Sequence, residues 1–167
     1  MIFGMSTETY TSLHVVISLI GIASGLVVMY GLLHSKRLDG WTALFLGTTV
    51  ATSVTGFGFP FDHLLPSHIV GLISLVVLAI AIVARYALHL AGPWLRIYVV
   101  GAVMGLYFNV FVLVAQAFQK VPALKTLAPT QSEPPFAIAQ LIVLAGFIVL
   151  GIFAAKRFQP AVGLRAA

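Results

Sequence analysis

Residues 10–33 read YTSLHVVISLIGIASGLVVMYGLL, an apolar run free of Asp, Glu, Lys and Arg. At about 1.5 Å per residue, a helix of this length is longer than the roughly 30 Å hydrocarbon core of a bilayer. The run therefore predicts a membrane-crossing helix. Similar runs follow at residues 41–59, 67–88, 94–118 and 136–155, separated by short breaks rich in Pro, Gly, Asp or basic residues. The expectation is an all-α, integral membrane five-helix transmembrane bundle forming a single domain over residues 1–167.

Composition agrees. The chain is 60% apolar and 8% charged, with mean hydropathy +1.09. A soluble domain carries about a quarter charged residues. The chain contains no cysteine. That excludes disulfides, thiolate metal sites, iron–sulfur clusters and a cysteine nucleophile. The first run lacks a basic leader and follows Glu8, so it reads as a retained helix rather than a cleavable signal.

Lys and Arg set the orientation. Lys36, Arg37, Arg85, Arg96, Lys156, Arg157 and Arg165 fall on one side, and Lys120 and Lys125 on the other. The positive-inside rule places the larger group in the cytoplasm, with the N-terminus outside and the C-terminus inside. Trp41 and Trp94 fall at the inner boundary. The net charge of +5 is dispersed over span ends rather than gathered in a patch with aromatics, so no nucleic-acid partner is expected. The partners expected are the lipid bilayer and a membrane-complex subunit or a second copy of the chain.

Helical periodicity places His14, Ser18, Gly21 and Gly25 on one face of the first span, and Gly101, Gly105, Asn109 and Gln116 on one face of the fourth. The two Gly-x-x-x-Gly pairs are packing signals. With Gln140 in the fifth span and His68 at the start of the third, the strongly polar intramembrane residues all fall in the outer half. The inner half reads as apolar, with Arg85 near its end free to snorkel. Polar groups in hydrocarbon face a bundle interior or a cavity. An outer pocket formed by His14, His68, Asn109, Gln116 and Gln140, taking a small molecule or cofactor, is one expectation. Interhelical hydrogen bonding is the other.

Three chemistries suit the outer residues. His14, Asp62, His63 and His68 offer ligands for a divalent metal such as zinc or copper, although their spacing matches no standard motif. His14 and His68 offer the axial pair for a single b-type haem. An equivalent inner pair, His34 and His89, would lie about 30 Å further along the helices and inside surface turns. A quinone could instead be bonded by His and Gln. The same histidines, with Asp62 or Glu133, offer a general base for an outer-face metal-dependent enzyme, without a recognisable hydrolase order. A channel or proton path would need polar groups through both leaflets. Residues 119–135 carry four prolines and read as a semi-rigid connector.

Residues 57–71, FGFPFDHLLPSHIVG, and residues 122–136, PALKTLAPTQSEPPF, resemble segments of small bacterial multi-span inner-membrane proteins that have no assigned activity. The resemblance implies a bacterial inner-membrane location and carries over no catalytic residue. The leading expectation is a non-catalytic membrane protein or complex subunit with an outer polar pocket. The alternatives are an electron carrier with haem b or quinone near the outer face, and the outer-face metal-dependent enzyme.

Overall fold

The computed structural model describes residues 2, 4–60 and 66–160, with no side-chain description at positions 66 and 67. The described residues form six α-helices and no named strand: α1 (Thr7–Leu33), α2 (Asp39–Gly56), α3 (Pro66–Ile82), α4 (Trp94–Lys120), α5 (Pro122–Leu127) and α6 (Pro134–Arg157). A single π turn, Val83–Ala87, extends α3.

Local chemistry explains most boundaries. α1 starts three residues before the apolar run because Ser6 caps it, its Oγ accepting from Thr9 N at 3.1 Å. Ser is a favoured cap because it satisfies an amide that has no intrahelical partner. α2 begins at Asp39, whose carboxylate sits well at the positive helix end. α6 begins with Pro134, where the missing N–H costs nothing. Pro122 does the same for α5, so the 119–135 connector holds a short helix that its prolines had obscured. After the π turn, where Leu88 N donates to Val83 O at 2.9 Å, the chain reverses through His89, Leu90 and Gly92. All three have positive φ.

Four helices are long and apolar enough to cross a membrane: α1, α3 with its π turn, α4 and α6. α2 is less apolar. Its 18 residues cover about 27 Å, close to the thickness of the hydrocarbon core. It runs antiparallel to α1 along its length. Asp39 at its start meets Arg85, while Thr55 at its end meets Tyr10 and His14.

α4 is the central helix. It touches α1, α2, α3, α5 and α6. In its most apolar stretch 44% of residues are buried, against 6% for α6, which lies at the edge. The core gathers Val28, Phe45, Leu46, Leu78, Tyr98 and Leu106. Glycine makes the close approaches possible. A Cβ at Gly25 would lie 2.6 Å from Leu106 Cδ1 and 2.9 Å from the Phe45 ring. One at Gly101 would lie 2.9 Å from Ala81 Cβ. The first pair thus seats α1 on α2 and α4, and the second seats α4 on α3. Small residues at such crossings let dispersion act where lipid removes the hydrophobic drive.

Candidate functional site

At the end of the bundle that holds the α1 N-terminus, Thr55 is the hub. Its hydroxyl donates to Ala51 O at 2.7 Å. It therefore serves as acceptor for His14 Nδ1, 2.8 Å away. That assigns the Nδ1–H tautomer to a neutral His14 and leaves Nε2 with the lone pair. Thr55 O accepts from the Tyr10 hydroxyl at 2.8 Å. Phe59 stands edge-on to both rings, 5.0 Å from Tyr10 and 5.3 Å from His14 between centroids. Tyr10 did not stand out in the sequence, and Thr55 did so only beside Thr52 and Ser53 as a hydroxyl residue in the outer half of the second span. Both hydroxyls fall on helix faces that periodicity alone does not join.

His68 is buried and stacks on Phe57, with centroids 5.6 Å apart and planes 27° from parallel. α3 is tied to α2 by Ser53 Oγ donating to Ser74 Oγ at 3.2 Å. α2 packs against both α1 and α3. The two histidines therefore lean on different rings of the same α2 end, His14 on Phe59 and His68 on Phe57. A bis-histidine haem needs both imidazoles aimed across one flat slot. Here each ring is engaged by its own aromatic neighbour at the α2 end. Asp62 and His63 lie outside the described residues. Among the described residues no group of three or more His, Asp or Glu gathers as a metal would need.

The remaining polar residues separate instead of converging. Asn109 is buried where α1, α2 and α4 meet, its Nδ2 donating to Thr49 Oγ1 at 3.2 Å, and it lies against Gly21. Gln140 is buried on the other side of α4, its Nε2 donating to Phe111 O at 3.1 Å. Its Oε1 is enclosed and has no partner. Gln116 is exposed, which corrects its expected place on the inner face. It lies seven residues beyond Asn109, and the drift of a straight helix over two turns carries it past the edge of the contact. Among the described residues, His14, Asn109 and Gln140 each bond a different partner helix position, His68 stacks on Phe57 and Gln116 is exposed.

The opposite end corrects a second expectation. Arg85 does not snorkel outward; it is 4% exposed. Its guanidinium pairs with Asp39 Oδ1 and lies over the Tyr98 ring, 5.0 Å from the centroid. Ser74, Leu78, Ala81 and Arg85 fall on one helical face, and all four are buried. That spacing was the available signal. The contacts bring Lys36, Arg37, Leu38, Thr42, Arg85, Tyr98 and Phe158 around one crevice. Ser35 Oγ accepts from Gln159 N at 2.8 Å. The ends of α1, α3 and α6 and the starts of α2 and α4 thus meet at a single basic end.

Between α4 and α6 runs an open groove of about 310 Å³. Val100, Val103, Tyr107, Leu144, Phe147 and Gly151 line it, and its surface is apolar.

Comparison with protein-family models, with curated proteins and with solved structures finds no match to this chain.

Proposed function

We propose that this chain is a non-catalytic, five-crossing protein of a bacterial inner membrane. In this reading its N-terminus lies outside, its C-terminus lies in the cytoplasm, and it serves as a subunit of a larger membrane assembly. The observation that carries the non-catalytic part is the commitment of the inward polar groups. His14 to Thr55, Ser53 to Ser74, Asn109 to Thr49 and Gln140 to Phe111 O each join two helices. Side chains held this way fix helix register. They do not present a nucleophile beside a base, or a cluster of ligands. Such bonds contribute modestly, about 0.6 kcal/mol each, so several are used.

The subunit reading is supported by α6. Its outward residues Ile138, Leu141, Ile142, Ile148, Val149 and Ile152 are all exposed and apolar, a surface that lipid or another helix covers. Five crossings are supported by α2 reaching from Arg85, at the end of α3, to His14, near the start of α1. The cytoplasmic assignment of the basic end follows from the positive-inside rule. The bacterial location rests on the resemblance of residues 57–71 and 122–136.

Native mass spectrometry of protein released directly from its membrane tests the subunit reading. It expects masses above the 17.8 kDa chain, from a second copy or a different subunit. A bare monomer as the dominant species contradicts it. A visible spectrum of the same preparation, oxidised and reduced, is expected to be featureless. A Soret band with sharpened reduced α and β bands would return the haem reading.

A further inference from the structure

The crevice at the basic end is narrow, with no room for a water molecule as it stands, and is lined by three cations, Lys36, Arg37 and Arg85, with the hydroxyl residues Thr42 and Tyr98. Among the described residues one carboxylate answers them. Asp39 Oδ1 accepts from Arg37, with Nε and Nη2 each 3.3 Å away, and also pairs with Arg85 Nη2. A single oxygen thus serves two guanidiniums. Arg85 Nε is buried and has no partner. A guanidinium meets an oxyanion best through two parallel bonds, and Arg85 makes one. The Asp39 side chain is 66% exposed, so it can turn into water once another anion takes its place on Arg85. The crevice is rich in donors, poor in acceptors, and closed by a removable carboxylate.

We propose that this crevice is a phosphate site, with Lys36, Arg37 and Arg85 as donors and Asp39 as the internal anion that the ligand displaces. A phosphate brings several acceptor oxygens where Asp39 offers one, so it answers both Arg37 and the unpaired side of Arg85. The chemistry is shared by an anionic phospholipid headgroup and by free phosphate. The lipid source rests on the membrane-crossing reading above, which puts the helix ends at the depth of the headgroups. Trp41, exposed and next in sequence to the lining residue Thr42, suits that interfacial depth. The site itself does not depend on that reading, because free phosphate tests it in detergent.

The test uses the full chain in a neutral detergent. Native mass spectrometry reads retention of added phosphatidylglycerol and of phosphatidylcholine by wild type, K36Q/R37Q, R96Q/K156Q and D39N. The two double variants remove the same charge from the same end. Wild type is expected to retain phosphatidylglycerol over phosphatidylcholine. K36Q/R37Q is expected to lose about tenfold or more, as for the loss of charge-assisted bonds. R96Q/K156Q should change little, and D39N should bind more tightly. Both double variants losing retention alike would reduce the effect to general attraction and overturn the site, as would equal retention of the two lipids. Inorganic phosphate, against chloride at equal ionic strength, separates the sources. A rise in wild-type melting temperature that is absent in K36Q/R37Q supports free phosphate as a ligand. Retained phosphatidylglycerol without that rise supports the headgroup. The absence of both responses would overturn the proposal. Lys36 and Arg37 are exposed, so K36Q/R37Q decides the matter if D39N fails to fold.

Discussion

Replacing Gly25 with Ala tests the packing account most sharply. The added methyl would stand 2.6 Å from Leu106 Cδ1 and 2.9 Å from two carbons of the Phe45 ring. Favourable carbon contacts lie at about 3.5–4.0 Å, so the overlap approaches an ångström on two sides. Leu106 is 2% exposed and Phe45 1%, so neither can move into free space. Overpacking of this kind costs about 1–3 kcal/mol. Ala gains about 1 kcal/mol over Gly in helix propensity, which leaves a net loss of roughly 0–2 kcal/mol, and about 1–3 kcal/mol relative to an unobstructed Gly-to-Ala change, by these two ranges. Gly47 is the control, because a Cβ there meets nothing within 4 Å. Gly47→Ala is expected to be neutral or slightly stabilising. The assay is reversible unfolding in mixed micelles, followed by the fluorescence of Trp41 and Trp94. Gly25→Ala as stable as Gly47→Ala would refute the claim that α1 is seated through its glycine face.

Other perturbations separate the remaining interactions. A double-mutant cycle over Asn109→Leu and Thr49→Val should give a coupling of about 0.6 kcal/mol, with about 1.7 as the ceiling; zero coupling in the same unfolding assay would remove that bond from the account. Asp39→Ala should cost more than Arg85→Met. The first strands a buried guanidinium, with a cost of up to about 3 kcal/mol, whereas the second leaves a hydrated carboxylate and often costs little. Equal losses would contradict the burial assigned to Arg85. Glu133 lies outside the apolar helices. Dehydration pushes its carboxyl up, but bonds from the Thr130 side chain and from the backbone of Glu133, Thr130 and Ser132 outweigh this and hold it below the ordinary value. Its contribution to the 128–133 turn is therefore present above the unfolded pKa and lost as pH falls through the lowered folded one. Hydrogen exchange at Thr130 and Ser132 should quicken across that acidic window, and in Glu133→Gln it should be fast at every pH; exchange independent of pH would sink the idea.

The helices were legible because lipid-length apolar runs have few other uses, and the glycine spacings named the faces that pack. Gly25 and Gly101 sit at crossings for that reason. The site was less legible. Thr55 and Thr49 are hydroxyl residues whose partners, His14 and Asn109, are 41 and 60 residues away, and no local pattern announces such a pairing. Gln116 was misplaced because a seven-residue step drifts around a straight helix, which a shared-face reading does not follow. Arg85 was misread because a cation near a span end is normally taken to reach for water, although its register with Ser74, Leu78 and Ala81 pointed inward. Asp39 completes that pair from a break between runs, where a lone carboxylate looks like an ordinary turn residue.

The side of each chain end tests the central claim most directly. Five crossings place the two ends on opposite faces of the membrane; four crossings, with α2 lying outside the hydrocarbon, place them on the same face. Because the chain has no cysteine, Met5→Cys and Gln159→Cys report without background. Labelling of intact cells with a membrane-impermeant maleimide should modify Met5→Cys and spare Gln159→Cys until the membrane is opened. Modification of both, or protection of both, in intact cells would contradict the five-crossing bundle.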